Sequence, residues 1–344
     1  MITNRYSYID LLRFIAAFTV AISHLFINKV GINVNLEIIS SMAVEVFFII
    51  SGFVLAPQII KLTEKKKFKE YRIFIIRRWY RTIPLYVLSL ILTSIILNKL
   101  FTLDYLKYLF FIQNFFINWL ENDYFSISWS LSVEEWFYIL FPIYLILFLK
   151  IKEFSLIYIS LTFVIIIFIL RILFSDNQEW GENVRRIVIF RLDSIVFGFI
   201  LFFLKDKIKK NNLNLCIIFV TILILSVLIF VILKLNINDG ENLSKFVYHY
   251  IIAIWGSLIV LFFYISEKNI NSLNLINLNL FLGKISYSIY LFHLLLIYII
   301  SSLKVNYFAL ELFLFMVFQV LLSTLLYYYF EKPILNARPN YSEK

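Results

Sequence analysis

Ten apolar runs, each about as long as a membrane is thick, limit the folds open to this chain. A helix of roughly 20 residues crosses the hydrocarbon core, where only helices and closed barrels satisfy their own backbone hydrogen bonds. The runs lie near residues 8–28, 37–60, 83–101, 128–149, 154–175, 187–204, 213–233, 247–266, 280–303 and 307–331. With 62% hydrophobic and 16% charged residues, the chain is also far more apolar than a soluble domain. The sequence therefore predicts an all-α fold, a polytopic membrane helical bundle of about ten transmembrane helices.

A weaker apolar run at residues 105–120 determines which loops share a side of the membrane. If it does not cross, the loops rich in Lys and Arg all fall on one side, near residues 61–81, 150–152, 205–210 and 332–344. Such loops concentrate in the cytoplasm. We therefore expect a re-entrant or interfacial helix at 105–120 and both termini in the cytoplasm. We also expect one transmembrane domain over residues 1–333, followed by a short cytoplasmic tail at 334–344.

Charge and cysteine content exclude several function classes. The formal net charge of +10 is explained by basic cytoplasmic loops better than by nucleic-acid binding. The sequence has a single cysteine, Cys216, so a disulfide framework and a thiolate metal cluster are excluded. The three histidines lie far apart in the sequence, which makes a zinc site unexpected. We predict contacts with membrane lipids, no metal and no nucleic acid.

The first apolar run includes the ionisable residues Arg13 and His24. On a helix, residues eleven positions apart lie within roughly 20° of one face and about 16 Å apart along the axis. Ionisable side chains at membrane depth are costly and are functional candidates by default. One helix face therefore carries a fixed cation towards one end and a titratable imidazole towards the other.

Three arginines gather just before the third run, where Arg77, Arg78 and Arg81 are interleaved with Trp79 and Tyr80. A guanidinium group can donate two parallel hydrogen bonds to the oxygens of one phosphate, and an aromatic ring can stack on the planar base of a nucleotide. A cytoplasmic cofactor that bears a nucleotide is one natural ligand. Anchoring to lipid headgroups is the alternative interpretation.

The second run contains Glu45, Ser51 and Gly52. A carboxylate inside a span needs a partner such as Arg13. The Ser-Gly pair lets another backbone or a thin ligand approach closely, because neither side chain takes much room. Simple helix packing would explain that pair equally well.

Further ionisable residues occur in the later runs. Glu134 lies in the stretch WSLSVEEWFY, where it could take part in proton transfer or orient an imidazole. The alternative to a functional role for Glu134 is a structural ion pair with Arg191 or Arg185. Asp193 lies close to Arg191 in the sixth run, and His293 lies within the ninth. For His293, a satisfied core histidine is the simpler interpretation.

Taken in order, these stretches resemble the membrane acyltransferase-3 family, whose multispanning members in bacteria and animals O-acylate glycans. The resemblance covers nearly the whole chain. It is carried by the Arg13 and His24 pair and by FFIISGF at 47–53, RRWYR at 77–81, WSLSVEEWFY at 129–138, FRLDSIVFG at 190–198, GKISYSIYLFH at 283–293 and the terminal FEKP.

The resemblance implies acetyl-CoA as a cytoplasmic acyl donor. It implies a hydroxyl of a surface or lipid-linked glycan (O-antigen, capsule or exopolysaccharide) as acceptor. The chain is expected to be a stand-alone member, without the C-terminal hydrolase-like domain of some relatives, in the bacterial inner membrane. Arg13 and His24 inherit the catalytic role, and Arg78 and Arg81 inherit donor binding.

On this basis we expect His24 to be the general base, with Glu134 or Asp193 fixing its tautomer. The predicted catalytic residues are His24, Arg13, Glu134 and Asp193. The predicted donor-binding residues are Arg78, Arg81, Arg77, Ser51 and Gly52. The predicted acceptor-binding residues are Trp129, Arg191 and Glu45.

Two alternatives remain open from the sequence. The same fold could transfer succinyl or another acyl group. The buried ionisable residues could instead belong to a transporter or flippase of a lipid-linked sugar. The absence of an inverted repeat and the arginine cluster both favour the enzyme.

Overall fold

The computed structural model describes residues 6–31, 34–65, 68–149, 155–174, 180–208, 211–236, 242–267, 272–305 and 307–339. Those ranges contain helices, turns and short connections, and no β-strand. The α-helices are α1 (Ser7–Val30), α2 (Val34–Lys65), α3 (Phe68–Ile96), α4 (Leu103–Leu109), α5 (Ser128–Leu149), α6 (Leu156–Phe174), α7 (Leu192–Leu204), α8 (Asn212–Asn236), α9 (Asn242–Ser266), α10 (Leu273–Ser302), α11 (Phe308–Leu326) and α12 (Lys332–Asn336).

Nine helical segments within the described ranges are long and apolar enough to cross a membrane. They are formed by α1, α2, α3, α5, α6, α8, α9, α10 and the continuous segment from α11 through α12. Their length lets each satisfy its backbone hydrogen bonds internally, as a membrane interior requires. The predicted all-α membrane bundle is confirmed.

Two predicted segments are shorter than a membrane span. In the weak run at 105–120, helix α4 has seven residues and is about 10 Å long, so it cannot cross. The run at 187–204 consists of a short 3-10 turn, Val188–Phe190, and the 13-residue helix α7. At about 20 Å, α7 is shorter than the 30 Å hydrocarbon core.

The basic segment between the second and third runs is largely helical, although the sequence suggested a long loop at 61–82. Helix α2 continues to Lys65 and α3 already begins at Phe68. Lys, Arg and Glu are good helix formers, so a helix need not end where its apolar run ends. The arginines at 77, 78 and 81 therefore lie on a continuous helix.

The chain divides into two compact units. The first comprises Met1–Val44, Arg72–Leu109 and Ile270–Lys344, and the second comprises Glu45–Tyr71 and Phe110–Asn269. The first unit is thus assembled from both ends of the chain. Helices α1, α4, α10 and α11 lie in it, whereas α5 to α9 lie in the second.

In the first unit, α1 and α10 pack in the same direction. Contacts occur in matching order along both helices: Asp10 lies against Gly283, His24 against His293, and Asn28 against Ser301. Helices in the same direction must be separated by an odd number of crossings. Six of the nine long segments in the described ranges lie between α1 and α10, so their shared direction requires one further crossing, which the predicted ten-span order assigns to the run at 187–204 and not to 105–120.

In the second unit, helices α2 and α7 cross at a pair of glycines. A Cβ atom on Gly52 would lie 1.9 Å from the Ile195 carbonyl oxygen, and one on Gly198 would lie 1.9 Å from the Ile49 carbonyl oxygen. The backbones can approach this closely because neither position carries a side chain. Gly52 therefore serves helix packing, one of the two interpretations that its sequence left open.

Alanine at either glycine should destabilise the protein, because its methyl group would push two backbones apart. We expect Gly52→Ala and Gly198→Ala each to lower the free energy of unfolding by about 1–3 kcal/mol, the usual cost of overpacking. Denaturation in mixed micelles would measure this cost. Gly256→Ala is the matched control, since its Cβ would meet Ile49 at an ordinary 3.4 Å. Equal losses at all three glycines would contradict the assignment.

Candidate functional site

Helix α1 presents Arg13 and His24 to different partners. The Arg13 Nη1 atom lies 3.0 Å from the Asp10 Oδ1 atom, one turn earlier on the same helix. Asp10 is buried against α10, where a Cβ on Gly283 would lie 2.4 Å from the Asp10 Cβ. The close approach of α1 to α10 therefore depends on Gly283, and Arg13 compensates the charge of Asp10 there.

His24 lies nearer the C-terminal end of α1 than Arg13 does, and it contacts a second histidine. Its Nδ1 atom is 2.7 Å from the Nε2 atom of His293 on α10, and the two rings are inclined by 10°. Its Nε2 atom lies 3.4 Å from the hydroxyl oxygen of Ser40 on α2. His24 is partly exposed, whereas His293 is fully buried. An accessible imidazole is thus backed by a buried one.

His293 has a further fixed partner. Its Nδ1 atom lies 2.7 Å from the backbone carbonyl oxygen of Tyr290, one turn earlier on α10. A helix can offer this carbonyl because the side chain of a residue reaches back over the preceding turn. The ring of His293 is therefore held from both of its nitrogen atoms.

The three arginines on α3 have different environments. Arg77 donates a hydrogen bond to the backbone carbonyl of Pro339. Arg78 is buried, and its guanidinium carbon lies 5.9 Å from the centre of the Phe74 ring. Arg81 lines a shallow groove whose other lining residues are Tyr80, Pro84, Leu85, Phe330, Glu331, Ile334 and Leu335.

This groove brings the RRWYR and FEKP motifs together in the first unit. Arg81 comes from the first motif, and Phe330 and Glu331 come from the second. Glu331 accepts a hydrogen bond from the hydroxyl of Ser288 on α10. The groove has no interior space large enough for a water molecule, so it is a surface groove rather than a pocket that encloses a ligand.

Arg191 occupies the centre of a buried cluster in the second unit. It forms an ion pair with Glu45 on α2 and donates a hydrogen bond to the Nδ1 atom of His249 on α9. Its guanidinium carbon lies 5.8 Å from the centre of the Phe48 ring. Glu45 thereby has the partner that a carboxylate inside a span requires. The sequence suggested Arg13 for that role, but Arg13 is paired with Asp10.

Arg171 forms a second buried pair in the same unit. Its Nη2 atom lies 2.8 and 2.9 Å from the two carboxylate oxygens of Asp193. The guanidinium group also donates to the carbonyl of Phe190, and the hydroxyl of Tyr250 donates to Asp193 at 3.1 Å. Asp193 therefore holds the start of α7 to α6 and α9. The catalytic role predicted for Asp193 stays a prediction.

The remaining predicted residues lie in the second unit. Trp129 is buried on α5, and its ring contacts the Phe48 ring edge to face. The guanidinium carbon of Arg185 lies 6.0 Å from the centre of the Trp129 ring. The Glu134 carboxylate accepts a hydrogen bond from the Tyr138 hydroxyl at 3.1 Å. Ser51 is partly exposed beside Gly52. The functional roles predicted for them stay predictions.

Sequence reasoning missed four residues of these clusters. Asp10, Arg171 and His249 were not singled out, and Ser40 was not recognised beside His24. Arg171 and His249 each carried a detectable signal, because an ionisable residue inside an apolar run is a functional candidate. Ser40 carried none, since hydroxyl side chains are common in helices.

Removing Arg171 should destabilise the protein strongly, because Asp193 would keep a buried and unpaired charge. We expect Arg171→Leu to cost about 3–5 kcal/mol, and a double replacement of Arg171 and Asp193 by Leu to recover much of that loss. The matched control is Arg186→Leu, which breaks the partly exposed Arg186–Asp123 pair and should cost about 0–1 kcal/mol. Denaturation in mixed micelles measures all three variants. Equal costs for the two single variants would contradict a buried structural pair.

Comparison with known proteins gives a consistent family signal. A family model described as an acyltransferase domain matches residues 6–328. A Staphylococcus aureus protein provisionally named an O-acetyltransferase is 28% identical over 97% of this chain and 59% of its own length. The chain thus spans less than two thirds of that relative. No solved structure matches the chain.

Two further relatives carry more specific names. The O-acetyltransferase OatA of Staphylococcus aureus is 28% identical over 77% of this chain and 47% of its own length. The peptidoglycan O-acetyltransferase OatA of Listeria monocytogenes is 29% identical over 32% of this chain and 20% of its own length.

Proposed function

Since the chain belongs to the acyltransferase-3 family, we propose that it moves an acetyl group from cytoplasmic acetyl-CoA to a hydroxyl of a glycan outside the bacterial cell membrane. Family membership confirms the resemblance drawn from the ordered motifs. It also favours the enzyme over a transporter or flippase. The peptidoglycan named for the Listeria relative supports a cell-wall glycan as the acceptor class.

The environment of His24 carries this proposal. Its ring is partly exposed, and its Nε2 atom lies within 3.4 Å of a hydroxyl oxygen, that of Ser40. A general base must come within hydrogen-bonding distance of the hydroxyl that it deprotonates. An acceptor hydroxyl that approaches Nε2 from the side of Ser40 to about 2.6–3.2 Å would meet that requirement.

The proposed reaction is a direct transfer. The acceptor oxygen attacks the thioester carbonyl carbon while its proton passes to His24 Nε2. The carbon–sulfur bond then breaks, and the departing thiolate takes the proton from His24, so the base is regenerated. At 3.4 Å, the buried Ser40 is farther from His24 than the 2.6–3.2 Å typical of an activated serine. We therefore assign no acyl-serine intermediate.

The donor would bind through the arginines of α3. Arg81 on the groove and the neighbouring Arg77 and Arg78 provide guanidinium groups for the phosphates of coenzyme A. This division leaves Arg13 to compensate the charge of Asp10 towards the end of α1 opposite His24.

Loss of the imidazole should abolish most of the transfer. In inside-out vesicles supplied with glycan and acetyl-labelled acetyl-CoA, we expect wild type to place label in alkali-labile sugar esters. His24→Ala should lower the rate by about 10²–10⁴-fold, the usual contribution of a general base. Asn28→Ala, an exposed change on the same helix, is the control. An unchanged rate for His24→Ala, or label held stably on Ser40, would contradict direct transfer by His24.

Replacing Arg78 and Arg81 by Ala should weaken donor binding. Each lost charge-assisted phosphate contact removes about 1.5–3 kcal/mol, so KM for acetyl-CoA should rise by at least tenfold while KM for the glycan changes little. Arg72→Ala, an exposed arginine on the same helix, is the matched control. The same assay with succinyl-CoA tests the alternative donor. A glycan-specific defect in the double variant would place these arginines elsewhere in the reaction.

A further inference from the structure

His293 is a fully buried imidazole that the proposed reaction does not yet use. It lies on α10 within the same compact unit as His24, 269 residues away in sequence. The protein has three histidines in total, and two of them meet here at 2.7 Å between ring nitrogens. Such a contact requires one ring to donate and the other to accept.

The direction of that hydrogen bond follows from the other partner of His293. A backbone carbonyl can only accept, so the Nδ1 atom that lies 2.7 Å from the Tyr290 carbonyl must carry the proton. A neutral imidazole has one N–H group, and burial disfavours a charged ring. The Nε2 atom of His293 is therefore an acceptor, and His24 must donate to it through its own Nδ1–H.

Building on the proposed function, we propose that His293 is a positioning residue that holds His24 in the tautomer whose Nε2 atom is the base. With the proton fixed on Nδ1, the lone pair of His24 Nε2 points to the side on which the Ser40 hydroxyl lies, 3.4 Å away. That nitrogen is the one to which an acceptor hydroxyl would deliver its proton.

The surrounding contacts make α10 a rigid support for this role. Three hydrogen bonds from buried or partly buried side chains to backbone carbonyls join α10 to neighbouring helices. The Ser89 hydroxyl donates to the Leu291 carbonyl at 2.9 Å, Gln319 donates to the Ile289 carbonyl at 3.1 Å, and the Tyr287 hydroxyl donates to the Thr82 carbonyl at 2.7 Å. The His293 ring is thereby fixed relative to α3 and α11.

The pair also stabilises the charged intermediate of the base. When His24 Nε2 takes the acceptor proton, its Nδ1–H group becomes part of an imidazolium, and its hydrogen bond to His293 becomes charge-assisted and stronger. When the thiolate removes that proton, the neutral pair is restored. A neutral imidazole performs this task without placing a second unpaired charge in the interior.

Two replacements of His293 separate positioning from packing. Phenylalanine keeps the ring volume and removes the acceptor, so His293→Phe should lower kcat by about 10–100-fold, the usual cost of losing an orienting partner. KM for acetyl-CoA should change less than about twofold, because ground-state binding is untouched. Glutamine offers an amide oxygen to His24, so His293→Gln should retain more activity than His293→Phe.

Gln113→Leu is the matched control for this pair of variants. It also removes a buried polar side chain, one that donates hydrogen bonds to Ser128 and Ser132 in the second unit and contacts neither histidine, and it should keep the wild-type kcat. Equal activity in His293→Phe and His293→Gln, or an equal loss in Gln113→Leu, would overturn the positioning role.

Nitrogen NMR of the full chain, labelled in its histidines, tests the tautomer without relying on transfer. We expect His24 to show a protonated Nδ1 and an unprotonated Nε2, with His24→Ala identifying its signals. A protonated Nε2 in the neutral protein would overturn the inference even if the enzyme is active. The expected tautomer in a protein that transfers no acetyl group would instead overturn the proposed function and leave the histidine arrangement intact.

Discussion

A charge in the interior of a membrane protein is tolerated only when another charge or a set of hydrogen bonds compensates it. The clusters of this protein follow that constraint. Arg171 is paired with Asp193, Arg191 with Glu45, and Arg13 with Asp10. Breaking such a pair costs far more than forming it gains. The pairs therefore act mainly as constraints that fix which helices can lie side by side.

The two histidines of the first unit obey the same constraint in a different way. They are joined as neutral partners, and a backbone carbonyl completes the chain of hydrogen bonds. A neutral chain avoids the desolvation cost of a buried ion, yet it can accept a proton when chemistry delivers one. In the proposed reaction, a neutral imidazole thereby orients the base, and no second charge has to be buried beside it.

The local sequence predicts the helices well because membrane length and apolar composition are local properties. It predicts their ends less well. The predicted loop at 61–82 is mostly helix, and the run at 187–204 contains a 3-10 turn whose Phe190 carbonyl is held by Arg171. Arg13, His24 and Glu45 could be identified as candidates because each is an ionisable residue inside a long apolar run. Their partners could not be identified in this way, because His24 and His293 are brought together by packing between distant segments rather than by any local pattern.

The parallel packing of α1 against α10 has a consequence for how the protein is made. The partner of His24 is synthesised 269 residues later, which at about 5–20 residues per second means a delay of roughly 13–54 seconds. During that interval the polar face of α1 must remain in the bilayer without α10. The residues of the second unit are complete before Gly283 and His293 emerge from the ribosome. The pair of His24 and His293 is thus among the last features to form, and a chain interrupted before α10 would expose an imidazole and the buried Asp10 to lipid or to quality-control proteases.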